Sequence, residues 1–210
     1  MHDPTQPAFY CYSDGELRAL AFGVQPCAEV FFREVLANVE AKPHAAKPTK
    51  PELGAISNAF GRQKAGLVTC HELCRALSAG KTVLPSAHAG ARRKDTWLAQ
   101  QLFCIDVDND DAQSARGYEP LAYTDAVLRA FELDLPLLIS YETFSSTDRM
   151  ERYRLVFAAD EPKTDPAEAE AYARALMGAF PETDQSSGEL ARLFCGTNKG
   201  VELWSYPLAA

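Results

Sequence analysis

Two aspartates, Asp106 and Asp108, close the apolar segment QLFCIDVDND at residues 101–110. Side chains on a strand alternate faces, so these carboxylates point the same way, with Cα atoms roughly 6.5–7 Å apart. Carboxylates held that close repel, and a shared cation relieves the repulsion. Hard oxygen ligands select Mg²⁺ or Mn²⁺, ions that keep positions open for phosphate oxygens. That chemistry suits phosphoryl or nucleotidyl transfer. The plain alternative is a D-x-D that caps a strand or faces solvent.

Further groups could complete such a site. Arg152 and Arg154, in RYRLVFAA, share a strand face and can present guanidinium forks to phosphates, unless they form only a solvated basic edge. Arg192 lies between Ala191 and Leu193 in an apolar run, where it needs an anionic partner such as a triphosphate or a carboxylate. Asp184, in a turn, is the expected third metal ligand, and Glu189 is its rival. Arg92, Arg93 and Lys94 could hold a nucleic-acid backbone, with Trp97 as a stacking surface or a packing residue.

The elements that would position these groups are readable from residue 101 onward. LFCIDVD reads as a buried strand, YTDAVLRAFEL (123–133) as a helix, and LLISYETF (137–144) as a strand hairpinned to RYRLVFAA (152–159). TDPAEAEAYARALMGAF (164–180) is a helix with Asp165 at the N-cap, Pro166 next, and Glu168 placed for a capping box. Its Ala169, Tyr172, Ala173, Leu176, Met177 and Phe180 make one apolar stripe. LARLFCG (190–196) is expected as a last strand. The order β-α-β-β-α-β is the ferredoxin-like, RRM-like arrangement of an α+β fold, with the first strand between the third and the fourth.

Residues 1–100 are less regular and read as an accessory α/β region packed on the 101–210 core. AKPHAAKPTKPE (41–52) reads as a loop or linker, and TCHELCRAL (69–77) as a helix stopped by Gly80. The 210 residues are 47% apolar, ample for one domain, with no run approaching the roughly 18 apolar residues of a membrane span. The N-terminus MHDPTQPAFY has no secretory pattern. Six cysteines in a chain of this size suggest a reducing cytoplasm more than disulfides. Net charge −8 argues against a wholly basic nucleic-acid-coating surface. CHELC places Cys70 and Cys74 on one helical face but His71 elsewhere, so no zinc is expected. His88 has no nucleophile motif beside it, and there is no P-loop.

LFCIDVDND, YETFSS…RYRLVF and DQSSGELARLFCG resemble motifs I, II and III of the archaeo-eukaryotic primase superfamily, above all the primase-polymerase domains of phage and plasmid replication proteins. The upstream GKTVLPSAHAGARRKDTWLAQQ is similar to the approach to motif I, so the resemblance covers roughly residues 80–200. It implies template-directed nucleotidyl transfer by two divalent ions, Mg²⁺ or Mn²⁺, held by Asp106, Asp108 and Asp184. It also implies Arg152, Arg154, Arg192 and Ser145 around the incoming nucleotide. A single-stranded DNA template, dNTPs or NTPs, and a replicative helicase in cis or trans are the implied partners of a monomeric domain in a bacterial host's cytoplasm. One departure is plain: the S-x-H of motif II is absent, and the corresponding stretch reads TFSST. A non-catalytic RRM-like binding module and a D-x-D glycosyltransferase are the alternatives.

Overall fold

The computed structural model describes residues 8–13, 16–19 and 33–205. The readings of the extreme N-terminus lie outside the described residues, as does Cys27.

Seven strands form one antiparallel sheet. From the N-terminal half come β1 (Ala8–Ser13), β2 (Glu16–Ala19) and β6 (Ser86–His88). From the second half come β7 (Trp97–Val107), β8 (Leu137–Glu142), β9 (Tyr153–Lys163) and β10 (Val201–Ser205). Their spatial order is β2-β1-β10-β8-β9-β7-β6. A smaller sheet, in the order β4-β3-β5, joins β3 (Glu34–Val39), β4 (Gly66–Thr69) and β5 (Val83–Leu84). Five helices are described: α1 (Lys50–Phe60), α2 (Cys70–Ser78), the short α3 (Asp111–Ala115), α4 (Tyr123–Glu132) and α5 (Pro166–Ala179).

The mixed α+β architecture agrees with the sequence reading, and so does the split unit in which β9 lies between β7 and β8. The predicted strand at 190–196 does not form. That segment makes one bridge, Val83 with Phe194, to the edge of the small sheet. The fourth core strand is β10, which pairs with β8, and the edge of β7 is taken by β6. The first strand therefore lies between the third and β6. In that segment Arg192 turns to the carboxylates of Asp106 and Asp184 instead of taking part in a ladder.

Alternation along β7 assigns the two faces of the sheet. Phe103, Ile105 and Val107 enter the core with α4 and α5, where Ala169, Ala173, Leu176 and Phe180 supply the expected stripe. Leu102 and Cys104 enter the opposite core with α2, β3 and β10. Asp106 takes the parity of the second face, as Arg154 does on β9 beside Val156 and Ala158. The apolar cover ends there and a cleft begins.

The helix ends are fixed by local chemistry. Thr69 caps α2 by accepting from the Glu72 N–H at 3.1 Å while Glu72 accepts from the Thr69 N–H at 2.9 Å. Asp165 caps α5 by accepting from the Ala167 N–H at 2.8 Å. Gly80 ends the run after α2 at φ 78°, and a Cβ there would stand 2.0 Å from the His44 carbonyl oxygen. The Lys/Pro-rich stretch at 41–52, predicted to be a loop, ends in the first turn of α1. Pro51 suits a first turn, whose N–H groups have no intrahelical acceptor. Leu53, Ile56 and Phe60 turn the apolar side of α1 toward Leu84 and Leu193.

Candidate active site

The site forms where β7 and β9 end side by side. Asp106 and Arg154 are directly opposite residues of that antiparallel pair, so the register alone places carboxylate against guanidinium. Arg154 Nε donates to Asp106 Oδ1 at 2.5 Å, and its Nη1 donates to the Tyr141 hydroxyl at 2.8 Å and the Cys195 carbonyl at 2.6 Å. Asp106 is 5% and Arg154 7% exposed, so each needs the other. Burial works against the charge on Arg154, but Asp106 and its hydrogen bond more than offset it and hold the guanidinium firmly protonated. The Phe194 ring, 4.7 Å away, covers the guanidinium face.

Arg192 closes the network. Its Nη2 donates to Asp106 Oδ2 at 3.0 Å and to Asp184 Oδ2 at 2.9 Å, so one nitrogen bridges two carboxylates. Its Nη1 is buried without a hydrogen-bond partner among the described residues. Asp184 caps the short turn Gln185–Gly188 by accepting from the Ser186 N–H, and its backbone N–H donates to the Asp106 carbonyl at 2.8 Å. Burial pushes its carboxyl up, but the bonds from Ser186 and Arg192 prevail and hold it below the usual carboxylate range.

Asp108, two residues on, meets a different environment. Its nearest cation is Arg152, at a loose 3.9 Å, and Arg152 also stands 3.9 Å from Asp110. Burial first, then the neighbouring charge of Asp106, raises the Asp108 carboxyl above its ordinary value. This half-exposed group is short of positive charge.

These residues open on a cleft of about 580 Å³. Asp106, Asp108, Arg154 and Arg192 lie on one side, with Thr143, Phe144 and Ser145 from the β8–β9 turn. The other wall is α1, through Leu53, Gly54, Ser57 and Asn58, with Lys47 before it and Arg92 beside it. Sequence reasoning missed this wall. The signal was there: a Thr49-x-x-Glu52 start followed by Leu53, Ile56 and Phe60 at helical spacing.

Of the predicted template triad, Arg92 and Arg93 share a hollow beside the cleft, and Lys94 lies apart from them. Arg92 turns into the cleft and donates to Ser57 Oγ at 3.0 Å and to the Ala191 carbonyl. Arg93 lines an adjoining hollow with Arg62, and Lys94 pairs with Glu170 on α5 at 2.6 Å. Trp97 is 7% exposed and packs with α4 and α5, which leaves no face for base stacking. Cys70 and Cys74 are buried free thiols of the core below α2, and burial raises Cys70 to about 11.

No metal ion is part of the described molecule, and no three His, Cys, Asp or Glu side chains among the described residues are close enough to hold one. The donor types nonetheless fit a hard divalent cation. Asp106 and Asp184 already share one cationic centre, Arg192 Nη2, and Asp108 supplies a third carboxylate short of positive charge. The spacing is that of a guanidinium, near 3 Å per contact, against about 2.1 Å for Mg²⁺. A shared ion therefore requires Arg192 to turn aside and the carboxylates to close by roughly 1 Å.

The chain is similar to two solved structures. One is the AEP domain of the cyanophage S-2L primase-polymerase, at 11% identity over 84% of this chain and 81% of that one, with a TM-score of 0.42. The other is the polymerase domain of Mycobacterium tuberculosis ligase D in complex with DNA, at 13% identity over 91% and 68%, with a TM-score of 0.31. No family model matches the chain, and no curated protein matches it.

Proposed function

We propose that this cleft binds a nucleoside triphosphate and transfers its nucleotidyl group to a primer end on a DNA template, as in a primase-polymerase of phage or plasmid replication. One observation carries the reading: Arg192 bridges Asp106 and Asp184, and Asp106, Asp108 and Arg192 together line a cleft large enough for a nucleotide.

Asp106, Asp108 and Asp184 would hold the divalent ions. Bound there, such ions lower the pKa of an attacking hydroxyl and stabilise a leaving pyrophosphate. Arg192 pairs with Asp106 and Asp184 and neutralises them; turned toward the cleft it would offer its fork to the phosphates. Arg152, 3.9 Å from Asp108 and from Asp110 and bonded to the Met150 sulfur, would join it by swinging toward the cleft. Arg154 is the fixed member, because Asp106, Tyr141 and Cys195 already occupy Nε and Nη1. Its part is to hold Asp106 in place, which leaves direct phosphate contact to its neighbours. Ser145, in the turn that lines the cleft, would contact the nucleotide where motif II lacks its histidine.

The glycosyltransferase reading loses ground, since the D-x-D is built into a strand end facing arginines. The binding-module reading needs sheet aromatics open to bases, and both faces of the central strands are covered.

The experiment is primer extension and primer synthesis with labelled dNTPs or NTPs, template and Mn²⁺. Incorporation that disappears in Asp108→Asn supports the reading. Template binding without incorporation by a folded protein sinks it in favour of the binding module.

A further inference from the structure

The α1 wall of the cleft belongs to none of the three motifs. Gly54 stands inside α1, where glycine is a standing cost relative to alanine. Packing does not account for it: a Cβ built there meets nothing within 4 Å. Gly178 has the same room, but it lies in the last turn of α5, where a helix is already giving way. What Gly54 leaves open is the cleft itself.

Two cations flank that opening. Lys47 is exposed on the cleft just before α1 and makes no ion pair among the described residues. Among the described residues Arg92 bonds only to neutral partners, Ser57 Oγ and the Ala191 carbonyl, with Glu189 close enough to be felt but not paired. A third donor, the orphaned Nη1 of Arg192, belongs to the same cleft. An unpartnered buried N–H calls for an acceptor that the chain does not supply.

We infer that α1 is one side of the nucleotide seat: the sugar and base lie against the helix backbone at Gly54, and Lys47 and Arg92 contact the phosphates. This rests on the nucleotidyl-transfer reading and adds to it a wall that no motif marks. Phosphate is the shared chemistry of a mononucleotide and a nucleic-acid strand, and a cleft of about 580 Å³, the size of a small-molecule pocket, favours the mononucleotide.

Isothermal titration of the full chain in Mn²⁺ decides it, with ATP, inorganic triphosphate and an oligo-dT strand as ligands. Gly54→Leu keeps a helix-forming residue but fills the seat, so ATP affinity should fall about 10-fold or more while inorganic triphosphate binds as before. Lys47→Gln should weaken ATP and inorganic triphosphate alike, by roughly 3- to 10-fold. Equal ATP affinity in the wild type and both variants overturns the inference and leaves the catalytic reading standing. Loss confined to oligo-dT also overturns it, giving the wall to a strand. A wild type that binds no ATP removes both. Should Gly54→Leu not fold, Lys47→Gln, on an exposed side chain, still separates these outcomes.

Discussion

Asp106 and Asp108 are two residues apart and live under opposite rules. Asp106 is enclosed, with Arg154 on one oxygen and Arg192 on the other. Asp108 opens on the cleft, and its nearest cation is 3.9 Å away. The first is bound on both oxygens by guanidinium groups, while the second is pressed toward its neutral form by burial and by the charge of the first. Two carboxylates of one motif thus differ: arginines fix one, and the other is open to the cleft. A pair of carboxylates with environments that diverge in this way is a frequent signature of a working site.

Removing the fixed carboxylate has the largest expected effect. Asp106→Ala leaves the buried Arg154 and the half-buried Arg192 without their shared carboxylate and should cost about 3–5 kcal/mol, read from denaturant unfolding. A double Asp106→Ala, Asp108→Ala variant is therefore a poor test of chemistry, because it unsettles the fold as well. Removing both partners should cost less than the sum: Asp106→Leu with Arg154→Met deletes the pair together, and a double-mutant cycle should return a coupling of roughly 2 kcal/mol or more. Additive losses would show that Asp106 and Arg154 do not depend on each other.

The open carboxylate should behave in the reverse sense. Asp108→Asn should cut nucleotide incorporation on the order of 10²-fold while raising the melting temperature at neutral pH by roughly 1–2 °C. The sign follows from linkage. The folded-state pKa of Asp108 is raised, so the stability of its neutral form is present below the ordinary carboxylate range and lost as pH climbs through the raised value. The gain from Asn should vanish in acid, where the wild-type carboxyl is already neutral. Asp184 runs the other way: its lowered pKa gives stability at neutral pH that is lost as pH falls through it. A melting-temperature profile of both Asn variants against pH should therefore diverge. Parallel profiles would erase the contrast between the two carboxylates.

Arg192 should tie the two environments together. Arg192→Gln removes the nitrogen shared by Asp106 and Asp184, so Mn²⁺ binding without nucleotide should tighten by about 3- to 10-fold, measured by titration calorimetry, even as incorporation falls. Weaker Mn²⁺ binding in that variant would mean that Arg192 does not occupy a cation's place.

The sequence was most legible where one physical signal dominated. The alternation in LFCIDVD and RYRLVFAA placed β7 and β9 and brought Asp106 to Arg154. The 3.6-residue stripe from Ala169 to Phe180 placed α5 on its face. The reading of 190–196 failed because apolar content looks the same in a strand and in a buried irregular segment. What distinguishes the two here is Arg192, whose partners are 86 and 8 residues away. The cleft wall stayed hidden because lysines and prolines at 41–52 masked a helix start, although proline is at home in a first turn. Arg92, Arg93 and Lys94 read as one patch, yet consecutive residues in an irregular segment need not point the same way.

Gly54 offers the smallest effect and the sharpest contrast with the motif residues. Replacing Gly54 with Ala removes backbone freedom from the unfolded chain and meets no atom in the folded one. The variant should be more stable by about 0.5–1 kcal/mol, or roughly 2–4 °C in melting temperature. One methyl fills little of a 580 Å³ cleft, so incorporation should decline modestly, and chiefly through a raised KM for the nucleotide. A position where stability rises and nucleotide affinity falls is one that the fold alone would not leave as glycine. If the Ala variant instead gained stability with KM untouched, Gly54 would be an unexploited residue of a helix, and the seat would end at the sheet.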